Sequence, residues 1–119
     1  MADYKLGEIE MKFAEIIWNS EPLTSGALAK KCEQELDWKK STTYTILKRV
    51  CERGLFRNEK GIVTSLVTKE EFLANKSEQF VEETFAGSLP GFIAAFTKHR
   101  KLSNEEILQL QEIIEKSRA

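Results

Sequence analysis

The 119-residue chain is poor in the residues that announce a specialised chemistry: two cysteines, two prolines and one histidine. Cys32 and Cys51 are too few and too far apart for a disulfide framework or a four-ligand zinc site. They read as reduced thiols packed as small hydrophobes on helices. His99 stands in the run Lys98-His99-Arg100-Lys101 with no carboxylate or cysteine constellation about it, which suits a solvated loop residue better than a metal ligand or a pH switch. A glycine-rich phosphate loop is also missing. The expectation is a protein that is not an enzyme and uses neither metal nor cofactor. No apolar run approaches the roughly 18 to 20 residues needed to span a bilayer. The start Met1-Ala2-Asp3-Tyr4-Lys5 lacks a signal peptide's basic opening and apolar centre. A cytoplasmic chain with no membrane contact is therefore expected. At 41% hydrophobic and 31% charged, its composition is that of ordinary globular proteins, enough for one domain or two small ones.

One further scarcity is local. From Trp38 to Arg57 there are six cations and a single acid, Glu52. On a helical wheel Thr43, Ile46, Leu47 and Val50 fall on one side of this stretch, and Ser41, Tyr44, Thr45 and Lys48 fall on the other. One face packs and the other is left to touch something. The second face carries hydroxyls, a phenol and a cation but no carboxylate, whereas a merely solvated face usually mixes signs. Hydroxyls bond to base edges and phosphates, and Lys and Arg neutralise phosphate charge, so this is the surface expected of a helix entering a DNA groove. The wider pattern agrees: residues 28–60 hold nine cations against five acids, while the rest of the chain holds nine against fourteen. One surface is suited to a polyanion and the other is not.

Leu6, Ile9, Phe13, Ile16 and Ile17 predict an amphipathic helix over about 6–19, stopped before Glu21-Pro22, with Trp18 closing its core. Leu23-Thr24-Ser25 supplies a short extended piece and a cap for a second helix through Leu28, Ala29, Cys32 and Leu36. Asp37 to Lys40 forms the turn into the basic third helix, which Gly54 ends. Leu55-Phe56-Arg57 and Ile62 to Val67 then read as strands of a hairpin around Asn58-Glu59-Lys60-Gly61. A hairpin directly after three short helices makes a winged helix-turn-helix over residues 1–67, with a short wing as a modest contributor.

From Thr68 the pattern is helical, in three pieces interrupted by Gly87, Pro90 and Gly91 and opened by the capping-box spacings Thr68-Lys69-Glu70-Glu71 and Ser103-Asn104-Glu105-Glu106. Phe72, Phe80, Val81, Phe85, Ile107, Leu110, Ile113 and Ile114 form its apolar stripes. A segment this small buries too little surface alone, so the stripes need a partner. A second copy related by two-fold symmetry is the simplest one, and folding back onto residues 1–67 is the alternative. The fold class is mostly α within α+β: a winged-helix domain followed by a helical dimerisation region over 68–119.

The order of parts resembles the BlaI/MecI/CopY penicillinase-repressor family over nearly the whole length. The resemblance is carried by Leu6, Glu10, Ile17-Trp18, Asp37-Trp38, the run Ser-Thr-Thr-Tyr-Thr-Ile-Leu-Lys-Arg-Val at 41–50, Gly54-Leu55, Ser65-Leu66-Val67 with the following Thr68-Lys69-Glu70-Glu71, and Leu102-Ser103 with Glu106-Ile107. It implies a homodimeric transcriptional repressor with one winged helix on each half of a dyad operator in double-stranded DNA. Thr42, Tyr44, Thr45 and Arg49 match positions of the family's recognition helix. Combined with the wheel, this makes Ser41, Tyr44, Thr45 and Lys48 the candidates for base edges. Lys39, Lys40, Thr42, Arg49, Arg53 and Lys60 are the candidates for phosphates. In some members a protease activated by a β-lactam-sensing membrane receptor cuts an Asn-Phe bond; the corresponding release position here is Ala95-Phe96, with alanine in place of asparagine. The copper-responsive branch ends in a pair of C-x-C motifs, and this chain has no cysteine after Cys51. The reading from another class is a winged helix that docks on proteins through the same helix; salt-sensitive DNA binding separates the two.

Overall fold

The computed structural model describes residues 5–119, which form six helices and one three-stranded sheet among the described residues. Helix α1 spans Glu8–Ser20. The Glu10 carboxylate accepts from the Gly7 N–H at its start, and Pro22, which has no N–H to donate, follows its end. Phe13, Ala14, Ile16 and Ile17 on its inner face are buried. Ile9, expected on the same stripe, is instead 52% exposed. Strand β1 is only Leu23–Thr24, and Thr24 caps α2 (Ser25–Leu36) by accepting from the Ala27 N–H at 3.0 Å. Asp37 leaves α2 in the left-handed region, φ 55°, and its N–H closes back on the Cys32 carbonyl. That turn sets the start of α3, Lys40–Glu52.

After Gly54 the chain makes the wing. Strands β2 (Phe56–Glu59) and β3 (Ile62–Ser65) pair antiparallel with Asn58 opposite Val63 and Glu59 opposite Ile62. The connection is therefore two residues, Lys60 and Gly61, at φ 52° and 83°. Positive φ at both central residues is the type I′ geometry that matches strand twist, and a glycine in the second place accommodates it. Asn58 and Glu59, expected in the loop, belong to the strand. The sheet order β1-β3-β2 puts the N-terminal dipeptide strand against the wing. Where β1 runs out, the Glu21 carboxylate takes over, accepting from the Ser65 N–H at 2.9 Å and the Ser65 hydroxyl at 2.7 Å.

By compactness the chain divides at Ser77/Glu78, inside helix α4 (Lys69–Phe85). The first unit has a continuous core of Phe13, Ile17, Leu28, Cys32, Leu47, Val50, Leu55, Phe56, Val63 and Phe72. Burial of each of its large side chains contributes roughly 1.5–3 kcal/mol. Trp18 centres the α4 side: its ring lies 5.5 Å from both Phe56 and Phe72, and its indole N–H donates to the Val67 carbonyl at 3.0 Å. Trp38 stacks on Phe13 at 5.5 Å.

The second unit comprises the end of α4, α5 (Leu89–Thr97) and α6 (Asn104–Lys116). Ser88 caps α5, accepting from the Gly91 N–H, and α6 opens on a complete reciprocal box between Ser103 and Glu106. Phe80, Phe85, Phe92 and Phe96 form a chain of ring contacts at 5.5 to 6.1 Å. Yet no residue from 78 to 119, all of them described, is buried. No helix among the described residues is long and apolar enough to cross a membrane.

Candidate nucleic-acid interface

Helix α3 owes its orientation to its back. Thr43 and Val50 are at 0% exposure and Leu47 at 3%, and Ile46 packs partly against the same core. The Thr43 hydroxyl is fully buried with no hydrogen-bond partner among the described residues, so this position contributes to the packed back and offers nothing to the outer face. With the back anchored, the side chains half a turn away must face outward: Ser41, Thr42, Tyr44, Thr45, Lys48 and Arg49 are all exposed, as are Lys39 and Lys40 at the helix start. The Lys40 ammonium sits 5.9 Å over the Tyr44 ring, near the limit of a cation–π contact. The Thr45 hydroxyl donates to the Ser41 carbonyl of its own helix at 2.9 Å. Tyr44, Lys48, Glu52 and Asn58, with Leu47 and Cys51 at the floor, line a shallow open groove between α3 and β2.

The wing brings Lys60 to its tip in an exposed position. Arg57 and Glu59 pair along its side at 3.4 Å, both more than half exposed, an arrangement worth little in water.

Arg53 has a different occupation from the phosphate contact expected of it. Its guanidinium donates to the Lys5 carbonyl at 2.7 Å and to the Glu10 carboxylate at 3.4 Å, with the side chain 28% exposed. It braces the end of α3 against the segment before α1. Helical spacing placed Arg53 among the cations; only the tertiary path of residues 5–10 reveals its partner.

Two thiols complete the surroundings. Burial pushes the Cys32 and Cys51 thiols up from their ordinary range, Cys51 against the lowering effect of the Asn58 backbone. Both remain free cysteines, Cys32 buried and Cys51 half-buried. Among the described residues no cluster of three His, Cys, Asp or Glu side chains is placed to hold a metal ion.

The second candidate surface is apolar. Phe72, expected on the dimerisation stripe, is corrected by the structure: at 0% exposure against Trp18 it belongs to the first unit's core. Among the others, Phe80 is 48% exposed, Ile113 62% and Ile114 60%, with Ile107 exposed and Val81, Phe85 and Leu110 half-buried. Leu89, Ile93 and Phe96, spaced i, i+4 and i+7 on α5, and Leu108 on α6 are exposed as well. Phe92, Ile93, Phe96, Leu102, Leu110 and Ile113 line a groove between α5 and α6. At its rim Arg100 lies over Phe96 and pairs with Glu106 at 3.0 Å. Ala95 and Phe96 are both exposed in the last turn of α5.

Sequence comparisons agree with this anatomy. The penicillinase repressor of Bacillus licheniformis is 23% identical over 115 residues, covering 93% of this chain and 90% of that protein. The methicillin resistance regulatory protein MecI of Staphylococcus aureus is 23% identical over 117 residues, covering 95% of each. An uncharacterized 16.5 kDa protein of Latilactobacillus sakei is 26% identical over 109 residues, 88% of this chain and 75% of that one. The sequence pattern of the penicillinase repressor family matches residues 6–116, helix α1 through the last full turn of α6. The chain therefore belongs to the penicillinase repressor family, a family of transcriptional repressors.

Proposed function

We propose that the protein is a homodimeric repressor that occupies a dyad DNA operator, each subunit inserting α3 into a major groove. The observation that carries this is the two-sidedness of α3: a back at or near zero exposure and a front of exposed hydroxyls and cations. Ser41, Tyr44, Thr45 and Lys48 approach base edges, and Lys39, Lys40, Thr42, Arg49 and Lys60 fix the register through phosphates. Residues 1–67 are the reading part and 68–119 the pairing part. The helical unit from 78 to 119 has apolar side chains on every helix and no buried residue, which supports pairing with a second copy. Phe80, Val81, Phe85, Ile107, Leu110, Ile113 and Ile114 supply that contact. A sensor-activated protease cutting at Ala95–Phe96 would detach α6 and its Ile107, Leu110, Ile113 and Ile114, and so release the operator by weakening the dimer.

The test is selection of bound sequences from random duplex DNA with the full-length chain, followed by titration of the selected site and of random DNA across salt. The expected result is a two-fold symmetric site bound far more tightly than random duplex, with affinity falling steeply in salt. Binding no tighter than about micromolar, the upper range of non-specific affinity, to every duplex would overturn the proposal and favour a protein-docking winged helix.

A further inference from the structure

The exposed face of α3 contains a side chain whose chemistry is narrower than its residue type suggests. Threonine has one hydroxyl and one methyl on Cβ, and either can be offered to DNA. At Thr45 the hydroxyl donates to the Ser41 carbonyl at 2.9 Å, the preceding turn of the same helix. Its single proton is used there. The staggered geometry of Cβ then sends Cγ2 to a different position, and because Thr45 is exposed the methyl is the group left to project. The neighbouring positions frame it: Ser41 lies one turn before and Lys48 one turn after, both exposed, and Tyr44 beside it is 37% exposed under the Lys40 ammonium. An apolar group surrounded by polar ones meets a matching partner at only one kind of place on the major-groove floor, the 5-methyl of thymine.

We infer that Thr45 is a specificity-determining residue that reads a thymine 5-methyl with its own γ-methyl, its hydroxyl being held by the Ser41 carbonyl. This rests on the reading of α3 as the DNA-contacting helix and adds which base feature one position selects. It predicts that the hydroxyl is dispensable and the methyl is not.

The experiment pairs protein and DNA substitutions on the site obtained by selection. Each thymine of one half-site, with its symmetry mate, is replaced in turn by deoxyuridine, which removes only the 5-methyl. Wild type, Thr45→Val, Thr45→Ser and Thr45→Ala are titrated against each duplex. Valine keeps a γ-methyl and β-branching, and serine keeps the hydroxyl. Circular dichroism and gel filtration of each variant verify the fold at this exposed site. The expected result is one thymine position at which wild type and Thr45→Val lose about fourfold per half-site on deoxyuridine, the size of one buried methyl-sized group, while Thr45→Ser and Thr45→Ala lose nothing further.

If Thr45→Val binds the thymine site as weakly as Thr45→Ala, and no deoxyuridine position affects wild type, the oxygen is the reader and the inference is overturned while the repressor reading stands. If wild type shows no preference for any selected site over random duplex, both are overturned together.

Discussion

At the scale of single residues, the two arginines at the end of α3 stand in different surroundings, from which the proposed repressor reading predicts different roles. Arg49 is exposed on the outer flank, and Arg53, one turn on, is bound to the Lys5 carbonyl and the Glu10 carboxylate. Arg49→Ala is expected to weaken all duplexes alike and flatten the dependence of log K on log salt by about one unit, as loss of one phosphate contact does. Arg53→Ala is expected to leave that slope unchanged and to lower the stability of the winged helix by about 1 kcal/mol, a value discounted for its partial exposure. Fluorescence anisotropy across salt and urea melts separate the two; equal slope changes would return Arg53 to the phosphate set. The cysteines yield a pH prediction at the same scale. Burial raises both thiols, so the folded chain stays neutral where the unfolded chain ionises. Stability should hold below the unfolded thiol's ordinary range near 8.5 and fall as pH climbs above it. Alkylation of the native chain at that pH should be slower than of the urea-unfolded chain, with half-buried Cys51 reacting before buried Cys32.

Among the elements, those set by local chemistry were legible in the sequence. The Thr43, Ile46, Leu47 and Val50 face and the Ser103 to Glu106 box each depend on residues within a few positions of one another, and each appears in the structure; the hairpin appears too, but its turn is Lys60-Gly61 alone, with Asn58 and Glu59 drawn into the strand by pairing with β3. What was illegible depends on distant neighbours. Phe72 has the same spacing as the dimerisation stripe, and only the approach of Trp18 turns it into core. The Glu21 to Ser65 clamp joins residues 44 positions apart and has no local signature. The α6 cap gives the prediction for this scale. The Ser103 N–H, with help from the Arg100 charge, holds the Glu106 carboxyl below the usual carboxylate range. A depressed folded value means the cap is intact above about pH 4.3 and is lost as pH falls through the folded value. Ser103→Ala at neutral pH should raise amide exchange over the first turn of α6 severalfold while leaving α3 unaffected. Unchanged exchange there would show that the first turn is held by something other than its cap.

At the scale of the whole molecule, the contrast between the two units makes dimerisation a question of free energy rather than resemblance. The first unit fully buries Phe13, Ile17, Leu28, Val50, Leu55, Phe56, Val63 and Phe72, and the second buries no residue. A half-site docked by one α3 engages only a few base pairs, and joining two subunits turns the second docking into an intramolecular step whose effective concentration is typically millimolar. Breaking the pairing without touching α3 should therefore reduce operator affinity by about 10²–10⁴. Ile113 is the better position for this than Phe80. Phe80 packs on Phe85 and Phe92 within its own subunit, so Phe80→Asp injures that packing as well, whereas Ile113 is 62% exposed. Ile113→Asp should sediment as a single subunit, melt its winged helix at the wild-type temperature and keep the wild-type salt-dependent affinity for random duplex per subunit, while losing tight binding to the symmetric site. A variant that sediments as a dimer with intact operator binding would move the interface away from α6. A variant that becomes monomeric yet binds the site undiminished would show that each α3 carries its specificity alone, and that the exposed apolar faces of the second unit serve another partner.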